Sequence, residues 1–79
     1  MNPKQFTTSA AVLWSVIPIA AREHILKNVF CGQCRGAVEI VKFTGHEENG
    51  DIVMEGQCAN CGHAVVRVIE SSEIDPANN

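Results

Sequence analysis

Aromatic residues are scarce in this chain, which has no Tyr, one Trp and three Phe among its 79 residues. Aromatic side chains bury more apolar area than most others, and a chain this short buries only a modest fraction of its surface. We therefore expect its core to need a further stabilising element, such as a metal ion or disulfide bonds. The length also excludes a multidomain enzyme with a deep substrate cleft.

Basic residues are also few, since six Lys and Arg stand against nine Asp and Glu and give a formal net charge of −3. They form no run along the chain: Lys4, Arg22, Lys27, Arg35, Lys42 and Arg67. Nucleic-acid-binding proteins usually carry a basic stripe, because neutralising phosphates supplies most of their non-specific affinity. The net charge therefore disfavours nucleic acid as a partner. A chain with this net charge can still carry a local basic patch.

The chain has no long hydrophobic run. Its most apolar stretch, Ala10 to Ala21, is interrupted by Pro18 and is far shorter than the roughly 20 residues that a membrane span requires. No small-residue cleavage site follows this stretch, because Ile19 stands three residues before a cut after Ala21. We expect no membrane span, no secretion signal and a cytoplasmic location.

The first 30 residues have the pattern of one or two helices. Asn2-Pro3 is a possible start, and Pro18 is well placed as the first residue of a second helix. The first helix has one apolar face, made of Phe6, Ala10, Leu13 and Ile17. The second has an apolar stripe of Ala21, Ile25 and Val29, a solvated face of Arg22, Glu23, His24 and Lys27, and a stop near Asn28.

Residues 37–44, 51–57 and 64–70 are short and rich in β-branched residues, as expected for three antiparallel strands. Asn49-Gly50 is a strong signal for a two-residue hairpin turn. That turn pairs Glu47 with Ile52, Thr44 with Glu55 and Phe43 with Gly56. One sheet face then holds Val41, Phe43, Ile52, Met54 and Gly56, whereas Ile40 and Val53 fall on the more polar face. Aliphatic side chains remain on both faces, so a protein partner or a second copy of the chain is expected to cover one.

Four cysteines form two Cys-x-x-Cys pairs, Cys31/Cys34 and Cys58/Cys61, with 23 residues between the pairs. Each pair aims two sulfurs at one point, and the hairpin between them brings the pairs together. The pattern predicts a closed four-thiolate site for one Zn²⁺ ion in a reducing compartment. Iron is the less favoured metal. Thiol–disulfide exchange is less favoured again, because a redox pair normally stands alone in a βαβ setting.

This arrangement of Cys pair, hairpin, Cys pair and third strand resembles the zinc ribbon families over roughly half of the chain. The resemblance implies a small metal-bound α+β fold in which one or two N-terminal helices precede a three-stranded antiparallel sheet. We expect a single domain over residues 1–79. It comprises a helical segment (1–30), a ribbon (31–70) and a flexible tail (71–79).

The remaining polar residues form no catalytic constellation, and we expect the chain not to be an enzyme. His63 is adjacent to the second cysteine pair but is expected to lie outside the ligand set, and His24 and His46 are expected at the surface without partners. Glu47-Glu48 resembles the acidic pair of transcript-cleavage elongation factors, but a solvated acidic turn is the favoured interpretation. The leading functional hypothesis is a non-enzymatic zinc module that binds another protein. The alternatives are a nucleic-acid-binding ribbon in transcription or translation and a rubredoxin-like electron carrier.

Overall fold

The computed structural model of the chain describes residues 5–74 and has an α+β architecture. Helices precede a three-stranded antiparallel sheet, as the sequence predicts. The elements in chain order are α1 (Thr8–Val16), α2 (Ile19–Leu26), β1 (Val29–Cys31), β2 (Gly36–Val38), β3 (Ile40–Glu48), β4 (Asp51–Cys58), β5 (Ala64–Ile69) and α3 (Ser71–Ile74). The proposed helix start at Asn2-Pro3 lies outside the described residues. Of the tail expected to be flexible (71–79), Ser71–Ile74 form α3 with Ile74 buried, and the rest lies outside the described residues.

Side-chain hydrogen bonds satisfy backbone groups at both ends of α1. Thr7 caps α1, because its side-chain oxygen accepts a hydrogen bond from the Ala10 amide at 3.3 Å. Pro18 is the N-cap of α2 and not its first helical residue. Arg22 was expected on a solvated face, but its guanidinium donates from Nε to the Ile17 carbonyl at 2.7 Å and from a terminal nitrogen to the Ser15 carbonyl at 3.2 Å. Arg22 thereby satisfies carbonyls that the end of α1 leaves unpaired.

The predicted stripe on the second helix is only partly correct. Ile25 is buried, but Ala21 is exposed. Val29 is buried as a residue of β1, beyond the end of the helix. This strand pairs antiparallel with β2 in a two-stranded sheet that the sequence pattern did not predict. Ala37 and Val38, which the pattern predicts in the first strand of the hairpin, belong to β2 instead.

The hairpin of β3 and β4 turns at Asn49 and Gly50, whose φ angles of 53° and 86° are both positive. Positive φ at both central residues is the geometry of a type I′ turn, for which Asn-Gly is the preferred pair. The predicted pairs of Glu47 with Ile52 and of Thr44 with Glu55 are confirmed.

The predicted pairing of Phe43 with Gly56 is wrong, because the strand register shifts between Val41 and Thr44. Val41 pairs with Gln57, so both Lys42 and Phe43 lie opposite Gly56 in a β-bulge. A Cβ on Gly56 would approach the Val41 carbonyl oxygen at 2.8 Å and the Phe43 Cα at 2.9 Å, which excludes any side chain there.

The bulge also changes which side chains face the core. Ile40, which precedes the bulge, is 2% exposed and lies in the core. Simple alternation along the strand predicts it on the more polar face, and that prediction is wrong. Val41 pairs with Gln57 and shares its face, so the prediction that Val41 belongs with Ile52 and Met54 is wrong.

The core lies between the helices and one face of the sheet. The Phe6 ring contacts Trp14 and Phe43 in edge-on geometry, with ring centroids 5.5 Å and 6.0 Å apart. The same ring lies over Gly45, whose added Cβ would approach it to 3.2 Å. The buried hydrophobic residues are Phe6, Ala10, Trp14, Ile17, Ile25, Val29, Cys31, Ile40, Ile52, Met54, Cys58, Val65, Ile69 and Ile74.

Candidate metal centre

All four predicted cysteines come together where the two sheets meet. Cys31 ends β1, and Cys34 lies in the turn that leads to β2. Cys58 ends β4, and Cys61 lies in the turn that leads to β5. The hairpin of β3 and β4 therefore carries the second pair of cysteines back to the first.

The four sulfurs have the spacing of a tetrahedral thiolate site. All four Sγ atoms lie within 4.8 Å of one another, with Cys31 to Cys61 at 3.6 Å and Cys34 to Cys58 at 3.8 Å. A tetrahedron with zinc–sulfur bonds of about 2.3 Å has edges of about 3.8 Å. A disulfide needs about 2.05 Å between sulfurs, and none of the four is in one. The four cysteines are thus positioned to bind one metal ion.

The two cysteine turns have the same backbone geometry. Four residues after the first cysteine of each pair, an amide N–H donates back to that cysteine's carbonyl: Arg35 to Cys31 at 2.7 Å and Gly62 to Cys58 at 2.9 Å. Both donor residues have positive φ, 57° at Arg35 and 79° at Gly62. Glycine adopts this conformation readily, whereas Arg35 does so at a conformational cost.

Amide groups around Asn60 point at the sulfurs. The backbone N–H groups of Asn60 and Cys61 lie 3.3 Å and 3.4 Å from the Cys58 Sγ. The Asn60 side-chain Nδ2 donates to the Cys34 Sγ at 3.3 Å and so links the two cysteine turns. N–H donors of this kind orient ligands and stabilise negative charge on sulfur. The sequence pattern does not predict this role for Asn60, whose only signal is a polar residue between the two cysteines.

The thiols differ strongly in acidity. Burial disfavours the Cys58 thiolate, but the N–H donors of Cys61 and Asn60 outweigh it and lower the pKa of Cys58 to about 7. For Cys61, a backbone hydrogen bond with His63 favours the thiolate. Desolvation and the neighbouring sulfurs of Cys31, Cys58 and Cys34 prevail over it and raise the pKa to about 12. Cys58 is thus the more acidic of these two thiols and Cys61 the less acidic, as expected for neighbouring groups whose titrations are coupled.

The site is buried on one side and open on the other. Cys31 and Cys58 are 1% and 2% exposed and belong to the core, whereas Cys34 is half-buried and Cys61 is exposed. The cluster therefore connects the hydrophobic core to the protein surface.

The histidines lie outside this cluster. His63 is exposed, and its backbone carbonyl accepts a hydrogen bond from the Cys58 amide at 2.8 Å. His24 and His46 were expected without partners, but the His24 Nδ1 lies 3.3 Å from the Asn28 Nδ2 and the His46 Nε2 lies 3.3 Å from the Glu48 Oε1.

The acidic pair at the hairpin tip does not converge on one point. The Glu47 Oε2 accepts a hydrogen bond from the Gly50 amide at 2.8 Å, whereas Glu48 faces His46. Both residues are exposed. The two carboxylates thus have separate local partners.

Comparison with protein-family models, with curated proteins and with solved structures finds no match to this chain. Within residues 5–74, no helix has the length and apolar character needed to cross a membrane. The fold and the site together define a small α+β protein with a four-cysteine cluster positioned for one metal ion.

Proposed function

We propose that this chain is a non-enzymatic zinc ribbon module, with one structural Zn²⁺ ion and a surface that binds another protein. Cys31, Cys34, Cys58 and Cys61 would hold the ion, and a bound Zn²⁺ would supply a cross-link between the hairpin and the β1–β2 sheet. The observation that carries the proposal is the set of four sulfurs spaced within 4.8 Å on two equivalent turns. A reducing compartment such as the cytoplasm would keep the thiols available.

Complete ligation by protein thiolates supports a structural role over a catalytic one. Catalytic zinc sites use three protein ligands and keep a fourth position for water or substrate. Here four thiolates fill a tetrahedral shell, so a bound Zn²⁺ ion would have no position for a reacting group. The chain's contribution is to orient the sulfurs through the two turns and through the three N–H donors of Asn60 and Cys61.

Native mass spectrometry of the full chain tests the metal assignment. We expect one zinc ion per chain, loss of that ion in Cys34→Ser, and its retention in Gln33→Ser, an exposed neighbour in the same turn. Red, iron-loaded protein would instead support the electron carrier and would contradict a structural zinc site.

The charge balance supports a protein partner over nucleic acid. The formal charge is −3, and four thiolates with one divalent cation would add about −2. We expect no binding of single- or double-stranded DNA or RNA to the zinc-loaded chain at low salt, where phosphate contacts are strongest. Salt-dependent binding in that assay would favour the nucleic-acid hypothesis and overturn the proposed protein-binding role.

A further inference from the structure

The sheet face opposite the core is an ordered grid of nine side chains. Cross-strand pairs share a face, so the register assigns these residues in three rows. The rows are His46–Val53–Val68, Thr44–Glu55–Val66 and Val41–Gln57–Ala64. We call this grid the outer face. Val66 and Val68 are 55% and 44% exposed.

The charge of the outer face has one sign. Glu55 lies at its centre, and Glu48 pairs with Asp51 in the next row toward the hairpin tip. None of the nine residues is Lys or Arg. The strands of this sheet carry two cationic residues, and neither belongs to the grid. Lys42 lies opposite Gly56 in the bulge, and Arg67 forms an ion pair with Glu73 on the other side of the sheet. His46, the one basic side chain of the grid, is already beside Glu48.

The area of the outer face limits what it can bind. Three strands about 4.8 Å apart and three rows about 6.8 Å apart cover roughly 280 Å². A stable protein–protein interface needs about 800 Å² on each partner. The outer face alone is therefore too small for a stable interface and suits a weak or transient contact with a single element. A second copy of this chain is further disfavoured, because two such faces would bring like charges together. An amphipathic helix about 10 Å in diameter matches its width.

We propose that the outer face is a docking site for a basic amphipathic helix of another protein. Apolar residues of that helix would cover Val53, Val66 and Val68, and its Lys or Arg residues would lie beside Glu55, Glu48 and Asp51. This proposal rests on the protein-binding function proposed above and specifies its surface and its partner. Val12, Val16 and Ile19 are also exposed, but no charge pattern around them indicates what would cover them.

The test is selection from a displayed library of random 16-residue peptides on the zinc-loaded full chain. We expect selected peptides to be rich in Lys and Arg, with apolar residues three and four apart. Val66→Lys and Glu55→Lys should each weaken binding at least ten-fold. Val12→Lys is the matched control, because Val12 is 59% exposed and lies on α1, and it should leave binding unchanged. Zinc stoichiometry and circular dichroism verify that each variant folds.

Three outcomes would overturn the proposal. Peptides whose binding is lost in Val12→Lys but kept in Val66→Lys would place the interface on the helices and leave the protein-binding function standing. A dimer in sedimentation that Val66→Lys dissociates would make the occupant a second copy. If neither surface selects peptides, the docking site and the protein-binding function both fail, while the metal assignment is still judged by mass spectrometry alone.

Discussion

At the scale of single residues, Asn60 has the most specific role outside the ligand set. Apart from the cysteine thiols themselves, its side chain is the only described hydrogen-bond donor that reaches from one cysteine turn to a sulfur of the other. It holds Cys34, a ligand that is half-buried and so less confined by packing than Cys31 or Cys58. Its contribution is therefore to metal affinity more than to the core.

We predict that Asn60→Ala weakens zinc binding about ten-fold, because side chains that orient metal ligands typically contribute ten-fold or more to affinity. Competition with a chromophoric chelator measures the change. Gln33→Ala is the control, since Gln33 occupies an exposed position in the first turn and bonds to no sulfur. Equal affinities of Asn60→Ala and the unchanged chain would show that the 3.3 Å contact contributes nothing.

Arg35 has a left-handed backbone conformation with positive φ. At the equivalent position of the second cysteine turn, Gly62 has the same conformation. We predict that Arg35→Gly stabilises the zinc-loaded chain by about 0.5 kcal/mol, because relief of the positive φ exceeds the added freedom of the unfolded chain. Urea unfolding under saturating zinc measures it. Gln33→Gly, at a residue without positive φ, should destabilise instead. A loss of stability in Arg35→Gly would contradict this account.

At the scale of elements, the bulge in β3 depends on the missing side chain of Gly56. We predict that Gly56→Ala destabilises the fold by about 2 kcal/mol, because its Cβ would lie 2.8 Å from the Val41 carbonyl oxygen. Gly36→Ala is the matched control. A Cβ at Gly36 meets nothing within 4 Å, and its φ is not positive. Denaturant unfolding of both variants tests the difference, and equal stabilities would contradict the bulge geometry.

The third helix depends on one carboxylate with two partners. Glu73 accepts from the Glu70 amide at 2.9 Å, which is one half of a capping box, and pairs with Arg67 at 2.6 Å. The hydrogen bonds from Arg67, which outweigh desolvation, lower the pKa of Glu73 below its ordinary value. A carboxyl with a depressed pKa stabilises the fold above its unfolded pKa and ceases to do so as the pH falls through the folded value.

We therefore predict that Glu73→Gln lowers the free energy of unfolding by about 0.5 kcal/mol at pH 7, a small value because the pair is partly exposed. The difference from the unchanged chain should shrink as the pH falls below the ordinary glutamate pKa of about 4.3 and through the lower folded value. Denaturant unfolding across pH measures both. Glu39→Gln is the control, because Glu39 is exposed and its side chain has no hydrogen-bond partner among the described contacts; its backbone carbonyl, which accepts from the Ala59 amide, is unchanged by the substitution. A pH-independent difference would assign the effect to packing.

The elements differ in how far the sequence predicts them. The Asn49-Gly50 turn and the outer part of the hairpin follow from turn chemistry and from alternation with a period of two. The bulge interrupts that period, so the pattern assigned Ile40 and Val41 to the wrong faces, although an isolated Gly56 within a strand was a signal for it. The β1–β2 sheet is too short to have a periodicity. The Asn60 contact joins turns that are distant in sequence, and only the folded chain brings them together.

At the scale of the whole molecule, the metal site and the aromatic cluster are connected through one core. Cys31 and Cys58 belong to the same buried set as Phe6 and Trp14. The outer face and the metal site share β4, which supplies the middle strand of the outer face and ends at Cys58. We therefore expect loss of the metal to affect the helices as well as the cysteine turns. Such a result would also support the expectation of a single domain.

We predict that chelation of zinc unfolds the chain in one cooperative transition, because structural zinc supplies folding free energy on the order of 10 kcal/mol. Trp14 is 5% exposed and is the only Trp, so its fluorescence should change together with the far-ultraviolet dichroism of the sheet. Re-addition of zinc should restore both signals. Intact dichroism with an unchanged Trp14 signal in metal-free protein would show that the core folds without the ion.

The turn at Asn49 and Gly50 has a consequence for the order of events in folding. Each cysteine pair is local and can capture an ion early, but two thiolates do not complete a tetrahedron. The second pair becomes available only when the hairpin closes, and hairpins close on a timescale of about 1–10 μs. We therefore expect the two residues at the hairpin tip, at the opposite end of the hairpin from the cysteines, to set how quickly a half-bound ion would become a fully bound one.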